Sequence, residues 1–417
     1  MNSPAPSLRS WKGLKSDPPL QIHTGNSRRA FFGRPGPTHR RPVMKRYFLG
    51  LAAGYGAARR TMHHVFTRGR ARDPKILTDY LSKHYGGTAY TTKNGRSALA
   101  LALKGYLSRG DKVLVTGFTC YAVYEAVKAA SLTPVFVDIS AKDLNYDYDS
   151  CEKAAKDPKV RAIIIQNSLG HPADIARIEK IARKHHLIII EDLAHCTGVR
   201  YADGREAGTV GAATALSFGK DKMIDTVNGG AVIFRAPTEH KVAIPTQRAR
   251  ASDTLRARFY PLLAGLCRGL TGIHLGGLLM KLFLKIHWVE KSADNRLDLT
   301  RMISRSEARL AYEQFQHLRP SGERPIREFF LVKNREEVLQ KLKKSGYYFD
   351  SLWYKSPVAP SRYYAKVHFP EDTCPRSLYV AEHIINLPTY YSRGDLKRAI
   401  QIIKPYLISE AENAKMD

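Results

Sequence analysis

Two lysines, Lys220 and Lys222, stand two residues apart in the stretch SFGKDKMIDTVNGG, which runs from Ser217 to Gly230. A lysine near a strand end is normally a solvated surface charge. A lysine held in a pocket loses solvation, so its amine deprotonates more easily and can attack a carbonyl. Gly219 and the pair Gly229–Gly230 permit tight turns and a close approach of backbone to a ligand. Two other stretches carry groups that such an amine would need. In LIIIEDLAH, Asp192 closes a strongly apolar run, where a carboxylate is costly unless it meets a cation or donor; the plainer reading is a cap on the next segment. His195 follows three residues later, a position that by itself suits a packed or surface histidine. In TKNGRSAL, Asn94 and Gly95 precede a helix starting near Arg96. The first N–H groups and the positive dipole end of such a helix accept a phosphate, although Asn-Gly before an ordinary capped helix is common.

The elements that must position these groups follow a simple rhythm. From residue 90 onward, helical stretches (RSALALALKGYL, YAVYEAVKAA, IARIEKIARKH) alternate with short β-branched runs (KVLVTGF, PVFVDI, RAIIIQN, LIIIED, ALSFG, GAVIF). Apolar runs of this kind indicate strands buried on both faces, and the βα order implies an α/β fold with a mostly parallel sheet and right-handed crossovers. Ligands collect at the carboxyl ends of such strands, where Asp192 and Ser217 stand. RDPKILTDYLSKHYGG (72–87) has helical spacing and ends in a glycine pair suited to a C-cap. The expected organisation is a disordered basic extension (1–43), an N-terminal helical segment (44–88) and a large α/β domain (89–245). A basic amphipathic helical insertion (246–300), a smaller C-terminal α+β domain with its linking helix (301–410) and a tail (411–417) follow. Met44 opens a plausible start for the folded chain.

Taken in this order and spacing, the three stretches resemble the DegT/DnrJ/EryC1/StrS family of sugar aminotransferases, pyridoxal-phosphate enzymes of fold type I. NGRSAL is similar to the family's helix-opening phosphate motif. TPVFVDI, GHPADI and IEDLAH resemble its strand–loop signatures, and HIINLP with RGDLKRAIQII its C-terminal segment. The family pattern places a serine five residues before the reactive lysine and Gly-Gly seven after it; Ser217 and Gly229 satisfy that spacing for Lys222 and not for Lys220. The resemblance implies a three-layer fold and pyridoxal 5'-phosphate as cofactor. It implies that Lys222 forms the internal aldimine and shuttles protons. Asp192 pairs with the pyridine nitrogen, and His195 sits beside the ring oxygen. Gly95, Arg96 and Ser217 hold the phosphate, and Cys120 or Tyr121 packs on the ring where relatives commonly carry an aromatic. It further implies a homodimer, an amino-acid donor such as glutamate and a keto-sugar acceptor, nucleotide- or lipid-linked, of the kind used in polysaccharide biosynthesis. Leu299 stands where the family's dimer-crossing asparagine precedes Arg301–Met302. Lysine at 222 argues against the sugar dehydratases of the family, which carry histidine there. Other fold type I chemistry (lyase, dehydratase, acyl transfer) is one alternative, and a nucleic-acid-binding protein on a degenerate enzyme scaffold is another.

Charge and composition bound the rest. The chain has 417 residues and a formal net charge of +29, of which residues 1–72 supply +14 from fifteen Lys/Arg and one Asp. Such a field favours polyanions: nucleic acid, anionic lipid or phosphorylated substrates. Nucleic acid is disfavoured, because no recognition-helix motif or aromatic-interleaved basic stripe is evident. Five cysteines with no CxxC pair fit a reducing compartment, hence a cytoplasmic enzyme, with no metal site. The insertion RARFYPLLAGLCRGLTGIHLGGLLMKLFLKIHWV carries apolar residues at helical spacing from Leu275 to Ile286, with Lys281 and Lys285 on another face. It reads either as a helix packed on the body or on a dimer partner, or as an interfacial helix giving peripheral membrane contact through 259–289.

Overall fold

In a computed structural model, residues 47–48, 75–220, 222–270, 275–289, 295–318, 325–348, 353–389 and 393–409 are described. The stretches read as the basic extension, 1–43, and the tail, 411–417, lie outside the described residues.

A seven-stranded sheet forms the middle layer. Its strands are β1 (Thr88–Thr92), β2 (Lys112–Thr116), β3 (Thr133–Val137), β4 (Val160–Ile165), β5 (Ile188–Asp192), β6 (Ala213–Ser217) and β7 (Gly230–Phe234). The spatial order is β1-β7-β6-β5-β4-β2-β3, and only β7 runs antiparallel to its neighbours. Side chains alternate across each strand, so the sheet needs a cover on both faces. Val113, Val115, Ala162, Ile164, Ala213, Ala215 and Val232 point into one core, packed by helix α2 (Gly95–Tyr106) and helix α3 (Tyr121–Ala129). Leu114, Ile163, Ile165, Leu216, Ala231 and Ile233 point into the other. That second core is closed by α1 (Ile76–Tyr85), α5 (Ile175–His185) and α8 (Arg305–His317). The expected C-cap is present: Gly86 adopts φ 71° and its N–H reaches Ser82 O.

Helix α4 (Tyr148–Ala154) follows β3, and α6 (Ala251–Gly269) and α7 (Leu275–Lys285) follow β7 as a helical hairpin. The C-terminal part pairs β8 (Arg327–Leu331) with β9 (Ile384–Pro388) antiparallel. It packs them on α9 (Arg335–Lys344) and α11 (Arg393–Ile403) through Val338, Leu342, Ile385, Leu387, Leu396 and Ile403. Helix α10 (Pro375–His383) leads into β9. The short strand Val358–Ala359 pairs with Thr119–Cys120, which brings the loop after Trp353 back onto the large sheet.

Candidate active site

Adjacent residues of a strand face opposite ways, and β5 ends on two carboxylates that use this. Glu191 is fully buried on one side. It accepts from the N–H groups of Gly208, Val210 and Gly211, from Tyr201 Oη and from Arg235. Five donors satisfy this carboxylate, so its work is structural: it ties the 208–211 loop to the sheet. Asp192, on the other side, is 8% exposed and accepts from Ala194 N–H at 3.0 Å. Burial pushes its carboxyl up to about 6; the Ala194 N–H and the positive charge of Lys222 hold it lower than burial alone would. A buried carboxylate poised in this way favours a cationic N–H partner.

Lys222 reaches this point on a closed loop. Phe218 N–H donates to Gly229 O and Thr226 N–H to Phe218 O, pinning the two ends together. Gln314 on α8 exchanges two hydrogen bonds with the backbone of Asp225, at 2.8 Å each. Half-buried Lys222 places Nζ 4.9 Å from the ring centre of Trp353. Trp353 in turn stacks on His195, with ring centres 5.1 Å apart. His195 is buried, and its Nδ1 faces Leu169 N–H at 3.3 Å. Burial, then the charges of Lys222 and Arg327, hold this imidazole well below its ordinary range. It is therefore neutral near pH 7, and with Nδ1 accepting, Nε2 carries the proton and is a donor.

The phosphate-type cradle is built at the neighbouring strand ends. Asn94 caps α2, its Oδ1 accepting from Ser97 N–H at 3.0 Å. The helix start lies hard against the end of β6: a Cβ added to Gly95 would come within 2.6 Å of Ser217 Cβ and 2.8 Å of Ser217 Oγ. Only glycine leaves this space open. Gly229, at φ 112°, and Gly230 bring the returning chain against Asn94, with which Gly229 forms a bridge. A hydroxyl, a helix N-terminus and an open glycine cradle suit a phosphate.

The sequence-derived residues thus fall into two adjoining groups: Lys222, Asp192 and His195, and Gly95 with Ser217. Some of the expected residues make contacts the sequence does not display. The Arg96 side chain forms an ion pair with Glu125 on α3. Tyr121 stacks on Tyr363, with centres 4.3 Å apart, and Cys120 pairs through its backbone with Ala359, six residues past Trp353. Lys220, expected to be solvated, is half-buried with Nζ 4.2 Å over the Tyr260 ring of α6.

Three residues escaped the sequence reading. Trp353 bridges Lys222 and His195. Fully buried Arg327 lies 4.2 Å over the Trp353 ring and donates to Asn386 Oδ1 at 2.9 Å, while Asn386 Nδ2 donates to Trp353 O at 3.0 Å. Asn295 accepts from Asn94 Nδ2 and donates to Asn228, each at 3.1 Å, so it closes the cradle from the loop before Arg301. Leu299, by contrast, packs against the α2 side core.

This donor set fits pyridoxal 5'-phosphate: a cradle for the phosphate, a buried carboxylate for a basic ring nitrogen, an N–H donor for the phenolic oxygen and an amine for the aldehyde. The comparisons with known proteins agree. The chain is 26% identical over 326 residues to the pleiotropic regulatory protein of Geobacillus stearothermophilus, spanning 76% of this chain and 85% of that protein. It is 36% identical over 165 residues to the GDP-perosamine synthase of Escherichia coli O157:H7, spanning 39% of this chain and 45% of that one. Its fold is similar to that of DesV from S. venezuelae, with a TM-score of 0.61 at 22% identity over 85% of this chain and 95% of the other. The family model for the DegT/DnrJ/EryC1/StrS aminotransferase family matches residues 75–403, and the chain belongs to that family.

Proposed function

We propose that the protein is a pyridoxal-phosphate-dependent aminotransferase that moves an amino group from an amino acid, glutamate by preference, to a keto-sugar carried on a nucleotide. The observation that carries this reading is Lys222 over the Trp353 ring, which stacks on buried His195, with buried Asp192 three residues before it and the Gly95–Ser217 cradle at the neighbouring strand ends. The cofactor supplies an aldehyde that takes up the amino group and a ring that accepts electrons. Around it, each residue has a defined task. Lys222 Nζ holds the aldehyde carbon and, once released, carries a proton between cofactor and substrate carbon. The Asp192 carboxylate keeps the ring nitrogen protonated. His195 Nε2–H donates to the ring oxygen, and Trp353 walls the site off from water. Ser217 Oγ and the start of α2 fix the phosphate.

The acceptor's class is supported by charge. Lys93, Lys220, Arg256 and Arg301, against Asp253 and Glu307, line a pocket next to the lysine loop that shares Asn228 with it and Asn295 with the cradle. An excess of cations of this kind suits a diphosphate, and so a nucleotide-linked sugar; the reading is completed by a homodimer working in the cytoplasm, in polysaccharide biosynthesis. The reading is tested by absorbance spectra of the purified protein and of Lys222→Ala, each titrated with amino-acid donors. A visible band that shifts with L-glutamate in the wild type and is absent from the variant is expected. A chain that binds no cofactor and gives no band overturns it.

A further inference from the structure

Among the described residues, every exposed leucine, isoleucine, phenylalanine and tryptophan falls between Leu255 and Trp288. On α7, Leu275, Leu278, Leu282 and Ile286 follow the spacing of one helical stripe, and Leu278 is 65% exposed. Leu255, Phe259 and Leu266 are the exposed apolar positions of α6, and Trp288 stands 53% exposed just past the end of the hairpin. The two helices contact each other, and their small or inward residues Ala257, Ala264, Cys267 and Gly276 are buried; Ala257 and Val289 line the pocket against the body. A monomer in water does not keep such a surface without a use for it.

The charges on the same segment select the occupant. The hairpin carries Arg256, Arg258, Arg268, Lys281 and Lys285 against one described carboxylate, Asp253 in the first turn of α6, and none on α7. Lys281 and Lys285 are exposed one turn apart beside the leucine stripe. A second copy meeting the α7 stripe across a two-fold axis would set Lys281 and Lys285 against the same lysines of its partner. An anionic bilayer offers the complement to both halves: acyl chains for the leucines and headgroup charge for the lysines. Trp288 at the end of the stripe has the amphipathic ring favoured at headgroup depth. No described helix is long and apolar enough to cross a membrane, so contact of this kind lies in the interface plane.

We propose that the α6–α7 hairpin is a docking surface for an anionic lipid membrane. This does not rest on the aminotransferase reading, since none of the exposed residues belongs to the site. Docking would bear on that site all the same: Tyr260 of the hairpin holds Lys220, so the hairpin lies next to the lysine loop.

The test is flotation of the full chain with phosphatidylcholine vesicles, with and without about a third phosphatidylglycerol, at low and high salt. The wild type should float with the anionic vesicles, weakly with the neutral ones, and less at high salt. Leu278→Glu/Leu282→Glu should lower partitioning by roughly a hundred-fold or more, about as much as burying two leucines contributes. Lys281→Gln/Lys285→Gln should lower it about twenty-five-fold on anionic vesicles only, at roughly five-fold per lysine. Tryptophan emission should shift to the blue on binding, and the shift should vanish in Trp288→Phe. All four positions are exposed, so folding is not at stake, and unchanged melting of the variants checks this. Three outcomes overturn the proposal. The wild type does not float; or it floats equally well after the leucine substitutions, which assigns binding to basic surface elsewhere. In the third, vesicle-free sedimentation shows the leucine pair converting a dimer to monomers with no lipid binding by either form, which assigns the stripe to a second copy.

Discussion

Replacing Asp192 with asparagine should strengthen the cofactor-free fold at neutral pH while abolishing the chemistry. The carboxyl has an ordinary value of 3.8 and is raised by burial to about 6. A group whose folded value lies above its unfolded one contributes stability that is fully present at low pH, where both states are protonated. That contribution is lost as pH rises from about 4 through 6, because the unfolded chain gives up the proton first. A rise of this size is worth about 3 kcal/mol between the extremes of pH. Spread over the unfolding entropy of roughly 330 folded residues, that is about 4 °C in melting temperature. Asparagine keeps the Ala194 contact through its carbonyl oxygen and carries no charge. The assay is thermal or urea unfolding of cofactor-free wild type and Asp192→Asn between pH 4 and pH 8. The variant should be the more stable at pH 8, and the gap should close toward pH 4. Added pyridoxal 5'-phosphate should stabilise the wild type more than the variant, because the ring N–H meets the carboxylate only there. A variant equal to or weaker than wild type at pH 8, or a gap that stays constant with pH, would refute the reasoning.

Four further expectations follow from the geometry. Gly95→Ala places a Cβ 2.6 Å from that of Ser217, so the start of α2 or the end of β6 must shift; cofactor affinity should fall at least ten-fold, read by titration of the cofactor band, and the cofactor-free protein should melt lower. Trp353→Ala removes the ring between Lys222 and His195 and admits water; the His195 titration, followed by NMR, should move up toward its ordinary 6.5, and kcat/KM should drop about ten-fold. Glu191→Gln weakens a carboxylate held by five donors and should cost about 2–4 kcal/mol in urea unfolding, without selective loss of cofactor binding. Arg327→Ala leaves Asn386 and the Trp353 ring without their buried cation and should cost about 3 kcal/mol by the same measurement.

The legible part of this fold is the part written in local pattern. Runs such as AIII and LIII can be buried on both faces only in a covered sheet, and the structure places them there, alternating between two cores. The helix after Asn94 starts one residue earlier than the reading near Arg96, because Asn94 itself caps it. Lys222 is separable from Lys220 by its distance from Ser217 and Gly229, a spacing set by a loop closed at Phe218 and Gly229. What the sequence does not display is contact between distant segments. Trp353, Arg327 and Asn295 lie in stretches with no periodic signal and reach the site only because the C-terminal strands and the loop before Arg301 fold onto the sheet ends. The same holds for Lys220, whose neighbour Tyr260 belongs to a helix forty residues on. Arg96 is readable as a cation at a helix start, yet its partner Glu125 sits on the next helix and draws the side chain away. The two carboxylates of the IED stretch look alike in sequence; strand alternation gives one to the scaffold and the other to the site.

The account depends most on which amine carries the cofactor. Borohydride reduction of the cofactor-loaded protein, followed by peptide mass analysis, fixes the pyridoxyl group to its lysine. The label is predicted on Lys222, with Lys220 unmodified and the Lys222→Ala protein unlabelled. A label on Lys220, or full labelling of the Lys222→Ala protein, contradicts it.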